Sequence, residues 1–358
     1  MRRGREARPC TASAFGVNPS GGAMYVVGLD IGYSNVKIAA GPRGALPRLI
    51  LRPAGAAPLE RLGERIGAAA EAGSATGEAA DRPVLVDLGG VPWAAAIEPE
   101  RFEDWQRPLH EDYPATPSYH ALALAALQLT GQRAIDLVVT GLPVAQAGDV
   151  RRRERLKRLL TGRHGLGEAS LEVGEVRVVP QPIGAYLDLV YAATDEEILE
   201  RIETGTVIVL DAGFYSFDWA LVVKGELRRS ASGTSLEAMS VLLERAAQEA
   251  AAEAGGKPQP LGLEAALRAG RAHVLQAGHR LSVPSLLGRA AGPVCAVALE
   301  SLRRSLRRES ASVDLVLIAG GGGSLYVRAA AGLFPGATVV VAPDPIGANA
   351  RGFHRYAG

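Results

Sequence analysis

The residues of this chain best suited to chemistry come in two sets that repeat one another. The first is Asp30, Gly32, Tyr33, Ser34, Asn35 and Lys37, within eight consecutive positions; the second is Asp211, Gly213, Phe214, Tyr215, Ser216 and Asp218. Each set follows an apolar run of β type (Tyr25 to Leu29; Val207 to Leu210) and leads into another (Val36 to Ala40; Trp219 to Val223). The plan is strand, Asp-x-Gly, tight polar turn, strand. Glycine in such a turn lets backbone approach a ligand, and the exposed turn amides make a concave anion site. An aspartate ending the first strand can hold a hydrated magnesium ion in front of bound phosphates, which makes Asp30 and Asp211 the candidate metal residues. Two such hairpins facing each other would grip the phosphates of a nucleotide from both sides.

Other residues extend that chemistry. Lys37, on the far strand of the first hairpin, is placed to aim its ammonium at the β- and γ-phosphates; the alternative is a surface lysine on an edge strand. Asp218 holds the matching place in the second hairpin and is expected to bond backbone or assist the metal. Gln181 stands between Pro180 and Pro182 just after a strand, and its uncharged amide suits orienting a water for in-line attack on a γ-phosphate. The competing role is a loop amide bonded to backbone. Its counterpart Asp344 is expected to cap the helix that starts near Gly347. The run Gly320, Gly321, Gly322, Gly323 and Ser324 follows a buried strand and allows close approach of a ribose, α-phosphate or purine face. The histidines show no metal-ligand spacing, and no Ser/His/Asp set or Gly-x-Gly-x-x-Gly fingerprint is present.

The elements that must position these residues are themselves duplicated. Asp136-Leu137-Val138-Val139-Thr140-Gly141 is echoed by Asp314-Leu315-Val316-Leu317-Ile318-Ala319-Gly320, and Pro180-Gln181-Pro182-Ile183-Gly184-Ala185 by Pro343-Asp344-Pro345-Ile346-Gly347-Ala348. Three matched elements in the same order point to two copies of one α/β domain, since a period this long is duplication and not a solenoid. Strands alternating with helices imply parallel sheets with right-handed crossovers. Helices are expected over Ser118 to Leu129, Asp149 to Leu160, Ile183 to Tyr191, Leu236 to Ala254 (opened by Thr234), Leu263 to Gln276 and Pro293 to Arg308. Short strands are expected at Val84 to Val86 and Trp93 to Ile97 around Gly89-Gly90. The helix Asp149 to Leu160 carries six basic residues, read either as a solvated face or as a subunit or partner contact.

Length and composition bound the class. A chain of 358 residues fits two domains, and 47% apolar with 22% charged residues and a formal charge of +1 describes an ordinary globular protein. No charge excess points to nucleic acid or anionic membrane, and no run reaches the roughly 18 apolar residues of a membrane span. Cys10 and Cys295 cannot build a disulfide framework, which fits a reducing cytoplasm. Residues 1–23 are basic, small and Gly/Pro-rich, read as a flexible tail, with Met24 a candidate natural start. The domains are expected over 24–195, with a small subdomain at about 45–125, and over 196–358, with another at about 245–290. Arginine-rich, lysine-poor usage suggests a GC-rich bacterial coding sequence.

The order of these motifs resembles the actin/hexokinase/heat-shock ATPase superfamily. Thr140-Gly141-Leu142-Pro143-Val144 and Pro345-Ile346-Gly347-Ala348-Asn349-Ala350-Arg351-Gly352-Phe353 resemble the bacterial ParM/StbA plasmid-segregation actins. More narrowly, Glu111-Asp112-Tyr113-Pro114-Ala115-Thr116-Pro117 and Ser232-Gly233-Thr234-Ser235-Leu236-Glu237-Ala238 resemble the PRTRC-system protein D branch. The resemblance covers about residues 24–356. It implies a duplicated ribonuclease-H-like (actin-like ATPase) α/β fold, two domains around a nucleotide cleft, and ATP, or GTP, with magnesium as cofactors.

By the same resemblance, Asp30 to Lys37 and Asp211 to Asp218 would be the phosphate loops, and Gly320 to Ser324 the adenosine motif. Gln181 would sit near the attacking water, with Asp211 as the other catalytic residue, and Arg268 and Arg271 would lie against the purine. ParM itself has glutamate where Gln181 stands, which puts its hydrolysis rate in question here. The implied function is a cytoplasmic, filament-forming ATPase in plasmid segregation, partnered by itself and by a DNA-bound adaptor that links it indirectly to plasmid DNA, with no membrane partner. The alternatives are a sugar-type small-molecule kinase, which needs an aspartate base that no residue clearly supplies, and a regulatory ATPase.

Overall fold

The computed structural model describes residues 23–64, 82–166, 169–307, 309 and 312–356. All but the last residue of the tail expected at 1–23 lies outside them. The first half runs β1 (Tyr25–Ile31), β2 (Asn35–Pro42), β3 (Arg48–Pro53), β4 (Gly55–Pro58), β5 (Val84–Leu88), β6 (Val91–Ile97), α1 (Pro117–Leu129), β7 (Ala134–Leu142), α2 (Val144–Ala147), α3 (Val150–Leu160), β8 (Gly162–Leu166), β9 (Ala169–Pro180) and α4 (Gln181–Ala192). The second runs α5 (Glu196–Thr204), β10 (Thr206–Ala212), β11 (Phe217–Val223), β12 (Glu226–Ser235), α6 (Met239–Ala254), α7 (Pro260–Arg268), β13 (His273–Gln276), β14 (His279–Ser282), α8 (Val283–Leu306), β15 (Leu315–Ala319), α9 (Gly323–Leu333), β16 (Thr338–Val341) and α10 (Ala348–Arg355).

Two large sheets share one topology. The first has the order β3-β2-β1-β7-β9-β8 and the second β12-β11-β10-β15-β16. In each, an antiparallel hairpin is followed by a third antiparallel strand on one side and by two parallel strands on the other. The registers repeat as well: Asp30 faces Lys37 and Asp211 faces Asp218. Both sheets are anchored by the same device, because the amide of Tyr25 donates to Asp136 Oδ2 at 2.6 Å and that of Thr206 to Asp314 Oδ2 at 2.7 Å. The central strands are continuous apolar runs because both faces are covered, and every residue of β10 is buried. The smaller sheet β4-β6-β5 and α1 lie in the first half; helices α6, α7 and α8 with the hairpin β13-β14 lie in the second.

The two sheets are joined by an exchange of helices. Helix α4, which continues the first sheet's β9, packs through Ala185 and Tyr186 on Val207 and Val209 of β10. Helix α10, at the end of the second half, instead buries Phe353 among Val26, Leu137, Val139 and Val179 of the first sheet. The two helices cross with backbones nearly touching. A Cβ on Gly352 would collide with the carbonyl of Gly184, and one on Gly28 with the carbonyl of Ala350. Such contacts require glycine for want of space, not for dihedral freedom.

Several element boundaries differ from expectation. The long helix begins at Met239, not near Thr234, because Thr234 and Ser235 complete β12 opposite Asp218 and Phe217. The helix expected to reach Gln276 ends at Arg268, and β13 and β14 follow with Ala277 and Gly278 both at positive φ in the turn between them. An alanine in that position disguises a two-residue turn that Asn-Gly would have announced. Helix α8 starts at Val283, capped by Ser282, and runs through Pro293. Asp149 caps α3 as expected, accepting from the amides of Arg151 and Arg152. Among the described residues no helix is long and apolar enough to cross a membrane.

The crossing predicts a sharp contrast between glycines. Gly352→Ala should lower the thermal midpoint, at a cost of about 1–3 kcal/mol for overpacking against backbone. Gly332→Ala on α9, where an added Cβ meets nothing within 4 Å, should be neutral or stabilise by up to about 1 kcal/mol. Thermal denaturation of both variants checks this.

Candidate functional site

One cavity of about 280 Å³ lies between the two sheets, lined from both halves. Asp30, Gly32, Tyr33, Ser34, Asn35, Lys37 and Gln181 line it from one side, and Asp211, Gly213, Phe214, Tyr215, Ser216, Arg268, Gly320, Gly321, Gly322 and Ser324 from the other. The two residues expected at the site that do not line it are Gly323 and Arg271. Gly323 is the buried first residue of α9, its amide bonded to the Gly320 carbonyl. Arg271 is exposed, and its charge acts on Glu100 instead.

The floor of the cleft is built on the two aspartates. Asp30 is 2% exposed; Lys37 Nζ lies 3.0 Å from its Oδ2 and Gln181 Nε2 donates to its Oδ1 at 3.1 Å. Lys37 is thus neutralised by the strand partner directly opposite it. Asp211 is 6% exposed and accepts from Asn349 Nδ2 at 2.7 Å. Burial, and then the Asp30 carboxylate, push its pKa up to about 7, against the lowering effect of the Asn349 bond. Each supporting amide comes from the first turn of one exchanged helix: Gln181 opens α4 and Asn349 opens α10. Asn349 also accepts from the Ala185 amide, which ties the two helices together. Among the described residues no cluster of three or more His, Cys, Asp or Glu could hold a metal. An ion here would therefore rest on one or two carboxylates together with water and ligand oxygens, which is the way magnesium binds.

Asp218 does not face the cavity as a free carboxylate. It accepts from the Val144 amide at 2.8 Å and from the hydroxyls of Thr234 and Ser216, both at 2.5 Å. A second-half side chain thereby caps the short helix α2 of the first half. Asp344 is not the helix cap expected of it: Gly347 holds the N-cap position of α10, and Asp344 accepts only a 3.4 Å bond from the Gly347 amide and pairs with Arg351 Nη1 at 2.6 Å.

The mouth is bridged by side chains. Tyr33 and Tyr215, from the two hairpin turns, stack with centroids 4.4 Å apart, and Tyr113 stacks on the other face of Tyr33 at 4.2 Å. The Tyr33 hydroxyl donates to the His110 carbonyl at 2.7 Å. Beside them, Arg107 pairs with Glu264 at 2.8 Å and its guanidinium lies 4.1 Å from the centre of the Phe214 ring. Burial lowers the Arg107 pKa against the raising effect of Glu264. Arg268 donates to the Ser34 carbonyl at 3.0 Å and pairs with Glu98 at 2.9 Å and Glu264 at 3.3 Å. Leu243, Leu267, Leu287 and Met239 give one end of the cavity an apolar lining.

Sequence reasoning missed Asn349, Glu264, Arg107 and Tyr113. Asn349 had a signal: a polar residue in an otherwise small and apolar stretch just past a Pro-x-Pro turn. The others are brought in by long-range packing, and nothing local marks them.

Residues 28–184 match the family model described as Actin like proteins N terminal domain. No curated protein matches the sequence. Among solved structures, an archaeal actin homolog is 22% identical, with a TM-score of 0.71 over 93% of this chain and 99% of that one, and the same homolog is known in complex with ADP. A ParM from a 15-stranded filament of Clostridium botulinum is 16% identical, with a TM-score of 0.70 over 93% and 99% of the two chains. The apo ParM protein of pSK41 is 14% identical, with a TM-score of 0.62 over 94% and 97%. The chain has the actin-like fold.

The raised pKa of Asp211 gives a pH dependence with a definite sign. The folded protein keeps the proton up to about pH 7, whereas an unfolded aspartate loses it near pH 4. Stability from this group is therefore present below about pH 4 and lost as pH rises through 7, up to roughly 4 kcal/mol. In ligand-free protein, Asp211→Asn should raise the thermal midpoint most at pH 8, clearly less at pH 5 and least at about pH 3.5. Equal shifts at all these pH values would contradict the buried, repelled carboxylate.

Proposed function

We propose that this protein is a filament-forming ATPase that binds Mg-ATP in the cleft and uses hydrolysis to time the life of the polymer. The observation that carries the reading is the pair of matched hairpins whose strand-end aspartates, Asp30 and Asp211, face one cavity across the two halves. Placing both in one buried cleft costs the fold, because burial and the Asp30 carboxylate hold Asp211 protonated up to about pH 7, and a divalent cation with phosphates would relieve that cost. The likeness to an archaeal actin homolog solved with ADP and to a ParM solved as a filament supports the nucleotide and the polymer respectively. A role in plasmid segregation, kinship with the PRTRC-system protein D branch, a cytoplasmic location and a DNA-bound adaptor belong to the same proposal.

The roles follow from the positions. The turn amides after β1 and β10 surround the terminal phosphates. Magnesium supplies charge neutralisation there when bound. Lys37 exchanges its partnership with Asp30 for one shared with phosphate oxygen. Gln181 donates one amide hydrogen to Asp30 and keeps its carbonyl to orient a water. Gly320 to Gly322 and Ser324 would hold the ribose and α-phosphate, and the apolar end with Arg268 would take the base. A kinase reading cannot use Asp218 as its base, since both of its oxygens are already bonded.

Calorimetry with Mg-ATP and a sedimentation assay with ATP, ADP and a non-hydrolysable analogue test the whole reading; folded protein that binds no nucleotide in the presence of magnesium would sink it. Gln181→Ala should slow hydrolysis by about 10²-fold or somewhat less, with nucleotide affinity and assembly nearly intact and filaments that persist longer. ATPase rates equal to the parent's would return Gln181 to a purely structural bond with Asp30.

A further inference from the structure

Two exposed charge stripes, one on each half of the chain, have the same spacing and opposite sign. On α3, Arg151, Arg155 and Arg158 stand at i, i+4 and i+7, so they share one helix face. On α5, Glu196, Glu200 and Glu203 stand at the same intervals. All six residues are exposed, and none makes an ion pair within the described residues. Their neighbours behave differently: Arg152 is bound to Glu111 and Asp112, Lys157 to Glu154, and Arg201 to Glu197. Intramolecular pairing has thus claimed the flanks and left both stripes open.

The two stripes balance one another in a chain of formal charge +1. Each stripe also borders an exposed apolar residue, Val150 (59% exposed) at the start of α3 and Tyr191 (51%) just before α5. Single exposed apolar residues are ordinary on a protein surface, so it is the charge pattern that marks a contact.

We infer that the basic stripe of α3 in one copy docks on the acidic stripe of α5 in the next. The partner is a second copy because it carries the complementary pattern at the same three-residue spacing. Used once per copy, the contact leaves one basic and one acidic stripe free at the two ends of a pair, so that it can repeat head to tail along a polymer. Exposed ion pairs contribute little individually; what they supply is selection of the facing surfaces and a faster, salt-sensitive encounter. The inference rests on the filament reading above and names a contact within it.

Three proteins test it by sedimentation with Mg-ATP at low and high salt: Arg151→Glu/Arg155→Glu/Arg158→Glu, Glu196→Arg/Glu200→Arg/Glu203→Arg, and the sixfold swap. Each triple variant should raise the critical concentration at least about tenfold, with helical content and nucleotide affinity unchanged. The sixfold swap should restore assembly to within about threefold of the parent. An equimolar mixture of the two triple variants should also assemble, because each then carries the stripe the other needs. Triple variants that assemble like the parent overturn the contact, as does a swap or mixture that stays soluble. A basic-stripe variant that loses retention on DNA but keeps assembly reassigns α3 to a polyanion and likewise overturns it. A parent protein that never pellets defeats the filament reading as well, so the two failures are distinguishable.

Discussion

Everything in this molecule hangs on the near-contact of two helix backbones. Helix α4 lies on the second sheet and α10 on the first, and they pass each other where Gly184 meets Gly352. Had each helix stayed on its own sheet, the halves would be tethered domains with independent cores. Because the helices are exchanged, each sheet's core is completed by a segment that belongs in sequence to the other half. The crossing is the one pivot that would spare both cores, since translation would expose Phe353 on one side and Tyr186 on the other.

The pivot also sets the electrostatics of the cleft. Each exchanged helix opens with an amide side chain aimed at the strand-end aspartate of the sheet it does not pack on: Gln181 at Asp30 and Asn349 at Asp211. Any rotation at the crossing therefore changes the support of both carboxylates together. A buried carboxylate without its donor costs more than a lost hydrogen bond between exposed groups. The two charged groups and the hinge are consequently one mechanical unit, although they lie in four separate stretches of sequence.

Much of this was legible beforehand because duplication makes a chain testify twice. The paired Asp-x-Gly hairpins, the Asp136 and Asp314 strand starts and the Pro-x-Pro-Ile-Gly-Ala connectors all fall where the topology repeats. The repeat misled at one point. It aligned Gln181 with Asp344, yet the residue that plays the mirrored part is Asn349, five residues further on in the first turn of the next helix. Alignment matches backbone position, whereas the bond to Asp211 depends on which helix face points at the cleft. The hairpin β13-β14 escaped for a local reason, the Ala277-Gly278 turn, and the Arg107–Glu264 pair for a global one, a separation of 157 residues.

The contacts across the mouth explain why a ligand could govern this pivot. Each stacked ring pair in the Tyr113–Tyr33–Tyr215 ladder contributes about 0.5–1.5 kcal/mol beyond its burial. The ion pairs Arg107–Glu264 and Arg268–Glu98 add little net stability, because desolvation offsets their attraction. Against these stands the repulsion of Asp211 by Asp30, which grows as the halves approach. Closure is thus a balance of opposing terms of a few kcal/mol each, and a two-state element balanced in this way is moved almost completely by a ligand that prefers one state by about 5 kcal/mol. Under the proposed function, a cation between the aspartates would remove the unfavourable term and leave the favourable ones. Phosphates held by both hairpin turns would act in the same direction, and their loss would return the balance to the repelled pair.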